Sequence, residues 1–168
     1  MFALWSSPEV CRYSGEAKDW DGRPIQLPAR DGSDSDKILD FFIRRAAAGT
    51  GIRWAMVLAQ TGDCIGALGL NALDPTPELA YHVHPDAWHS GYAREACQAV
   101  IDWTKANLAS RTIEAFIDEE NASSRRLAEH LGFEPMDASR QGATRYERVH
   151  DQREQHGERP VPRKVTSC

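Results

Sequence analysis

Glu78, His82 and His84 fall at even positions of the stretch PELAYHVHP (77–85), so in an extended chain their side chains share one face. Imidazoles titrate near neutral pH, which makes His82 and His84 candidates for proton transfer. With Asp86 and His89 they also offer nitrogen and oxygen ligands, and alternate strand positions can share one metal ion. The residues that follow, PDAWHSGYAREA (85–96), run from a proline-started polar stretch through Gly91 into a helix. A helix leaves its first N–H groups without internal partners and its dipole favours an anion there, so this junction is a candidate phosphate cradle. Gly91 lets the backbone approach closely, Ala93 keeps the next side chain small, and Arg94 can add a charge-assisted contact. The alternative is structural: Ser90 or its neighbour caps the helix and Gly91 makes the turn.

These groups need elements to hold them. The spacing of Ile38, Leu39, Phe42, Ile43 and Ala46 predicts a helix over 33–49. IRWAMVLAQ and CIGALGLN flank a short TGD connection and read as a hairpin, PELAYHVHP as a third strand. Apolar positions from Gly91 to Leu108 lie on one helical face. TIEAFID reads as a strand, NASSRRLAEHLGF as a short helix capped by Asn121 and stopped by Gly132, and TRYERV as the last strand. Residues 15–33 have no period and read as a loop, and the opening MFALWSSPEVCRYSG reads as the tail of a helix entering a turn. The fold expected is α/β (α+β): a mixed, mostly antiparallel sheet flanked by helices, one domain over 1–150, with a polar, disordered tail over 151–168.

Composition limits the function classes. The chain has 168 residues, 41% of them hydrophobic, enough for one core, and a formal charge of −5 that argues against a nucleic-acid binder. Four cysteines lie far apart with no C-x-x-C pair, and no apolar run approaches a membrane span, so a cytoplasmic protein with no membrane partner is expected.

Three segments, IGALGL, ELAYHVHPDAWHSGYAREA and NASSRRLAEHLGF, resemble in order and spacing the signatures of the GNAT (acetyl-coenzyme A dependent N-acetyltransferase) superfamily, particularly its branch of ribosomal-protein N-terminal acetyltransferases. With WSSPEVCRYSG, similar to that branch's early helical region, the resemblance covers roughly residues 3–149. It implies direct attack of a substrate amine on the thioester of acetyl-coenzyme A. Residues Trp88 to Ala93, hence His89, Ser90, Gly91 and Tyr92, would take the pyrophosphate on backbone amides. Glu78 matches a glutamate of the branch and is the first choice for the base, with His82 and His84 as rivals. A backbone N–H near Val83 or His84 would meet the oxyanion where two strands splay at a bulge. Ser124 would serve the leaving thiolate, Asn121 would lie beside the coenzyme arm, and Arg125 would reach its phosphates.

Two departures are visible. His89 stands where the branch has glycine, and no segment matches the family's edge strand and complete first helix. Together they motivate a rival function, a non-catalytic acyl-coenzyme A binding or regulatory module on the same fold. The second leaves a sheet edge that could pair with a second copy in a homodimer. The resemblance puts acceptor choice in residues 5–37, where a small-molecule or peptide amine is equally compatible, with the acidic balance leaning towards cations.

Overall fold

The computed structural model describes residues 1–150; the tail expected over 151–168 lies outside the described residues. Two short helices open the chain, α1 (Phe2–Trp5) and α2 (Pro8–Cys11), the second capped by Ser7, which accepts from the Val10 N–H at 3.3 Å. Within the expected loop, β1 (Ala17–Lys18) and β2 (Pro24–Ile25) pair as a small hairpin. Helix α3 (Gly32–Ala47) follows, capped by Asp31. Its inner face differs from the periodic reading. Asp34, Ser35 and Ile38 are buried while Ile43 is 67% exposed, because Arg30 and Lys37 hold the Asp34 carboxylate at 3.0 and 3.2 Å and let it face inward.

Strands β3 (Ile52–Val57), β4 (Cys64–Leu70) and β5 (Leu79–Val83) form one antiparallel sheet in that order. Helix α4 (Tyr92–Asn107) precedes β6 (Thr112–Asp118), α5 (Ala122–His130), β7 (Glu134–Arg140) and β8 (Ala143–Val149). The last three strands make a second antiparallel sheet, ordered β6-β8-β7. Strand β7 was not expected: every residue in it is exposed, so it carries no alternation to read. The mixed, mostly antiparallel class is otherwise as predicted, and among the described residues no strand pairs outside β3.

The sheets meet at one parallel bridge, Glu78 to Glu114, where the Glu114 N–H donates to Pro77 O at 2.9 Å. Strand β6 pairs with β8 along its other edge throughout, and beyond the bridge it makes no further pairing with β5, so the two strands part. Strand alternation sorts the side chains. Met56, Leu68, Leu70, Leu79 and Val83 pack with Cys97, Val100 and Ile101 of α4 and with Ile113, Ala115 and Ile117 of β6. The opposite face meets α1–α3 through a smaller cluster of Leu4, Trp5, Val10, Ile25, Ile38 and Ala67.

Candidate active site

The register sets the floor of the site. Arg53 pairs with Gly69, and Gly69 with Ala80. With so little side chain in that row, Arg53 reaches across the glycine and donates to Ala80 O at 2.8 Å. A Cβ on Gly69 would lie 2.0 Å from Ile52 O, so this row admits nothing larger. A chamber of about 970 Å³ extends from above it through the gap between β5 and β6, walled by α1–α3 on one side and α5 on the other and reached by Glu78, Tyr81, His82, Asn121 and Ser124.

Next to the parting strands lies the loop before α4. Its neighbours α2, α3 and α5 are capped by the side chains of Ser7, Asp31 and Asn121, whereas α4 has no side-chain cap. The structural alternative for Ser90 therefore fails: its hydroxyl donates to Trp88 O at 3.2 Å. Among the described residues no acceptor meets the N–H groups of 89–94; the first bond into the helix is Glu95 N–H to Gly91 O. His89 (φ 59) and Gly91 (φ 83) both lie in the left-handed region, which bends these amides round. His89 adopts the conformation glycine would take, and its side chain is exposed rather than folded over the turn. The Trp88 indole N–H donates to Val83 O at 2.7 Å and ties the loop to the end of β5. Ala93 is half-buried at the helix start, and Tyr92 packs against the core. Arg94 is exposed, as is Arg125 near the start of α5.

Even-numbered residues of β5 turn their backbone groups to β4, as Glu78 O does to the Asn71 N–H and the His84 N–H to Ile65 O at 2.8 Å. The N–H groups of Tyr81 and Val83 therefore face the gap. Of the two expected oxyanion donors, His84 is spent in the sheet and Val83 is left. No bulge opens the strands, since the register from Gly66↔Val83 to Leu70↔Leu79 is unbroken; the departure of β6 does so instead.

The three expected proton carriers separate. Glu78 is buried, accepting from Asn71 Nδ2 and from Arg140, each at 2.8 Å. His82 packs at a tilt against Trp5, ring centres 4.7 Å apart, and shares a 3.0 Å hydrogen bond with Ser14 through Nε2. Burial, helped by the Arg53 charge, pushes its pKa down to about 3, so the ring is neutral. His84 is outside the chamber: its Nδ1 accepts from the Asp86 N–H at 3.4 Å, and β5 has already ended. With His89 exposed on the loop, the four possible metal ligands do not converge, and among the described residues no group of three His, Cys, Asp or Glu is placed to hold a metal.

Asn121 caps α5 by accepting from the Ser124 N–H at 3.1 Å. The Ser124 side chain takes no part in the cap. It accepts from Tyr81 Oη at 2.8 Å across the chamber, which leaves its own proton to donate. Sequence reasoning missed Tyr81, whose phenol burial pushes up to about 12, and the guanidiniums of Arg45, Arg53 and Arg140. One signal was present: Arg53 is the lone charge in the strand IRWAMV.

A family model described as Acetyltransferase (GNAT) domain matches residues 1–134. An uncharacterized N-acetyltransferase p20 of Bacillus licheniformis is 28% identical over 133 residues, 77% of this chain and 69% of that one. Among solved structures, an acetyltransferase from Agrobacterium tumefaciens superposes with a TM-score of 0.68 at 23% identity, covering 89% of this chain and 82% of its own. A spermidine N-acetyltransferase of Vibrio cholerae, in mutant form, gives 0.65 at 18% identity, covering 88% and 89%. No helix among the described residues is long and apolar enough to cross a membrane.

Proposed function

This chain belongs to the acetyltransferase (GNAT) domain family, and we propose that it transfers an acetyl group from acetyl-coenzyme A to a primary amine by direct attack within a ternary complex. The observation that carries this reading is the uncapped start of α4, with its amides free from residue 89 to 94, beside the gap between β5 and β6. These amides, with Arg94 and Arg125 from the two flanking helices, suit a pyrophosphate.

In this reading the thioester lies in the gap and the amine enters from the α1–α3 side. The Val83 N–H stabilises the developing oxyanion. Only an uncharged amine attacks, and free amines have pKa values of about 8 to about 10.4. Arg45, Arg53 and Arg140 set a positive field that lowers the amine's pKa before chemistry. Glu78, fixed by Arg140 and Asn71, accepts the proton through water. His82 is too weak a base for this, and His84 lies away from the amine. Ser124, oriented by Tyr81, donates to the leaving thiolate. Of the two motives for a binding module without catalysis, His89 has an exposed ring and a left-handed backbone that leave the turn open, while the missing first strand stands, since among the described residues no strand pairs outside β3.

Gly91→Val tests the assignment. A β-branched residue is strained at φ 83 although its Cβ would meet nothing within 4 Å, so the change acts through the loop's shape alone. The Michaelis constant for acetyl-coenzyme A should rise at least about tenfold, a loss on the order of one charge-assisted hydrogen bond. Unchanged coenzyme kinetics in thiol-release assays would remove the loop from the site.

A further inference from the structure

Buried polar atoms without partners report what a site is built to receive, because each one costs free energy until it is matched. Among the described residues five buried side-chain nitrogens lack a partner: Trp5 Nε1, Arg45 Nε, Arg53 Nε, His82 Nδ1 and His150 Nε2. The first four belong to residues of the chamber wall, where the nitrogens themselves are covered and Arg45 Nε lies against Gly51, so the free donors mark the guanidiniums rather than the point of contact. Indole and guanidinium N–H groups only donate. His82 joins them if its Nε2 accepts from the Ser14 hydroxyl, which leaves the proton on Nδ1.

Charge follows the same pattern. Arg45, Arg53 and Arg140 line the chamber with one buried carboxylate, Glu78, and only Arg140 makes an ion pair with it. Arg53 lies over the Phe42 ring at 4.4 Å, and its hydrogen bonds go to Ala80 O and to Asn71 Oδ1. Arg45 bonds the carbonyls of Thr50 and Asn71. Neither has a carboxylate within salt-bridge distance among the described residues, although buried charges are ordinarily paired. Around Arg45 and Arg53 the chamber is thus locally positive and rich in donors, while Glu16, Asp19 and Asp118 line it elsewhere. To that part of the chamber a polyamine brings only more donors and more positive charge.

We propose that the acceptor amine carries a carboxylate, and that Arg53, assisted by Arg45, receives that carboxylate while the amine reaches the gap. Arg53 sits beneath Ala80, and Val83 is three residues further along β5, a span of about 10 Å in an extended strand. The class that fits is an amino acid or short peptide with a free carboxylate within about that distance of its amine.

The proposal rests on the acetyl-transfer reading for the amine's fate, but the anion preference can be measured without turnover. Matched pairs, amino acids and di- and tripeptides against their carboxamides, are titrated into the protein with coenzyme A present, by calorimetry, and then assayed with acetyl-coenzyme A. The acids should bind at least about tenfold more tightly, the scale of one charge-assisted pair. Arg53→Gln should abolish the difference and Arg53→Lys restore part of it. Arg45→Gln, on the helix rather than the sheet, gives the same test with less risk to folding and should reduce the difference several-fold. Equal binding of acid and amide, or tighter binding of spermidine, overturns the proposal whether or not acetyl is transferred. Acid-selective binding with no thiol release upholds the pocket and counts against the transferase reading instead.

Discussion

The two faces of the divided sheet follow different rules although the same strands build both. Towards α4 and α5, Met56, Leu68, Leu70, Leu79 and Val83 interlock with helix residues as buried as Cys97 and Ile101, and among the described residues this cluster contains only uncharged side chains. Towards α1–α3, the same strands present Arg53, Glu78 and His82 over a floor thinned to Gly69 and Ala80, under two helices of four residues and one of sixteen. Apolar burial on the first face stabilises at roughly 25 cal/mol per Å². The second face forgoes that packing to keep a chamber and a cluster of partly unmatched donors. In the proposed reaction the coenzyme, held from the α4 and α5 side, and the acceptor, entering from the α1–α3 side, meet at the gap.

The largest test of this contrast is mechanical. Ile113 is fully buried on the α4–α5 face, and Ile113→Ala should cost about 3 to 4 kcal/mol, the range for a large aliphatic cut to alanine in a tight core. Phe42→Leu, at the wall of the chamber, should cost about 1 kcal/mol, because solvent already reaches the ring and the lost volume opens into existing space. Urea denaturation gives both values. Equal costs would mean that the α1–α3 face is packed as firmly as the other, and the contrast would fail.

Acid should act mainly on the chamber side. His82 binds no proton in the native state until about pH 3, whereas the unfolded chain takes one up near pH 6.5. Between those values the unfolded state holds more protons, so stability rises with pH and is lost as pH falls through the window. The slope approaches about 1.4 kcal/mol per pH unit below 6.5. His150 is lowered in the same direction by burial and adds to the loss. Unfolding midpoints at pH 7 and pH 5 should therefore differ more in the wild type than in His82→Gln, which keeps only the His150 share. An identical pH dependence would mean that the His82 ring is already hydrated or charged in the native protein.

The contrast also explains what could be read from the sequence. Helix α4 was expected from Gly91 to Leu108 and runs from Tyr92 to Asn107, because its apolar stripe and the alternation of β4, β5 and β6 are signals local to each segment. The amide loop was legible for the same reason. The chamber was not. An arginine at an odd position of β3 has the sequence appearance of a solvent face, and only the helix α3 laid over it makes it a wall. Arg140 lies in a strand with no buried residue and acquires a role by stacking 3.8 Å from Phe116 and reaching Glu78, 62 residues away. Tyr81 was hidden because attention to even positions passed over the opposite face, where its hydroxyl meets Ser124. The separation of His84 from His82 depends on where β5 ends, and alternation alone cannot fix a strand end.

The smallest test concerns the loop that joins the two faces. His89 holds φ 59 without being glycine, a conformation that costs a residue with a Cβ about 1 kcal/mol or more, although histidine tolerates it better than most. His89→Gly relieves that strain but enlarges the conformational freedom of the unfolded chain, so the two effects oppose one another. The net change should be a stabilisation below about 1 kcal/mol. Because the imidazole is exposed, the Michaelis constant for acetyl-coenzyme A should move by less than about twofold, well inside 1 kcal/mol. If the constant instead falls by an order of magnitude, the ring crowds the amides when coenzyme binds. The loop would then be a third region in its own right, tuned against its ligand rather than merely bent by its backbone.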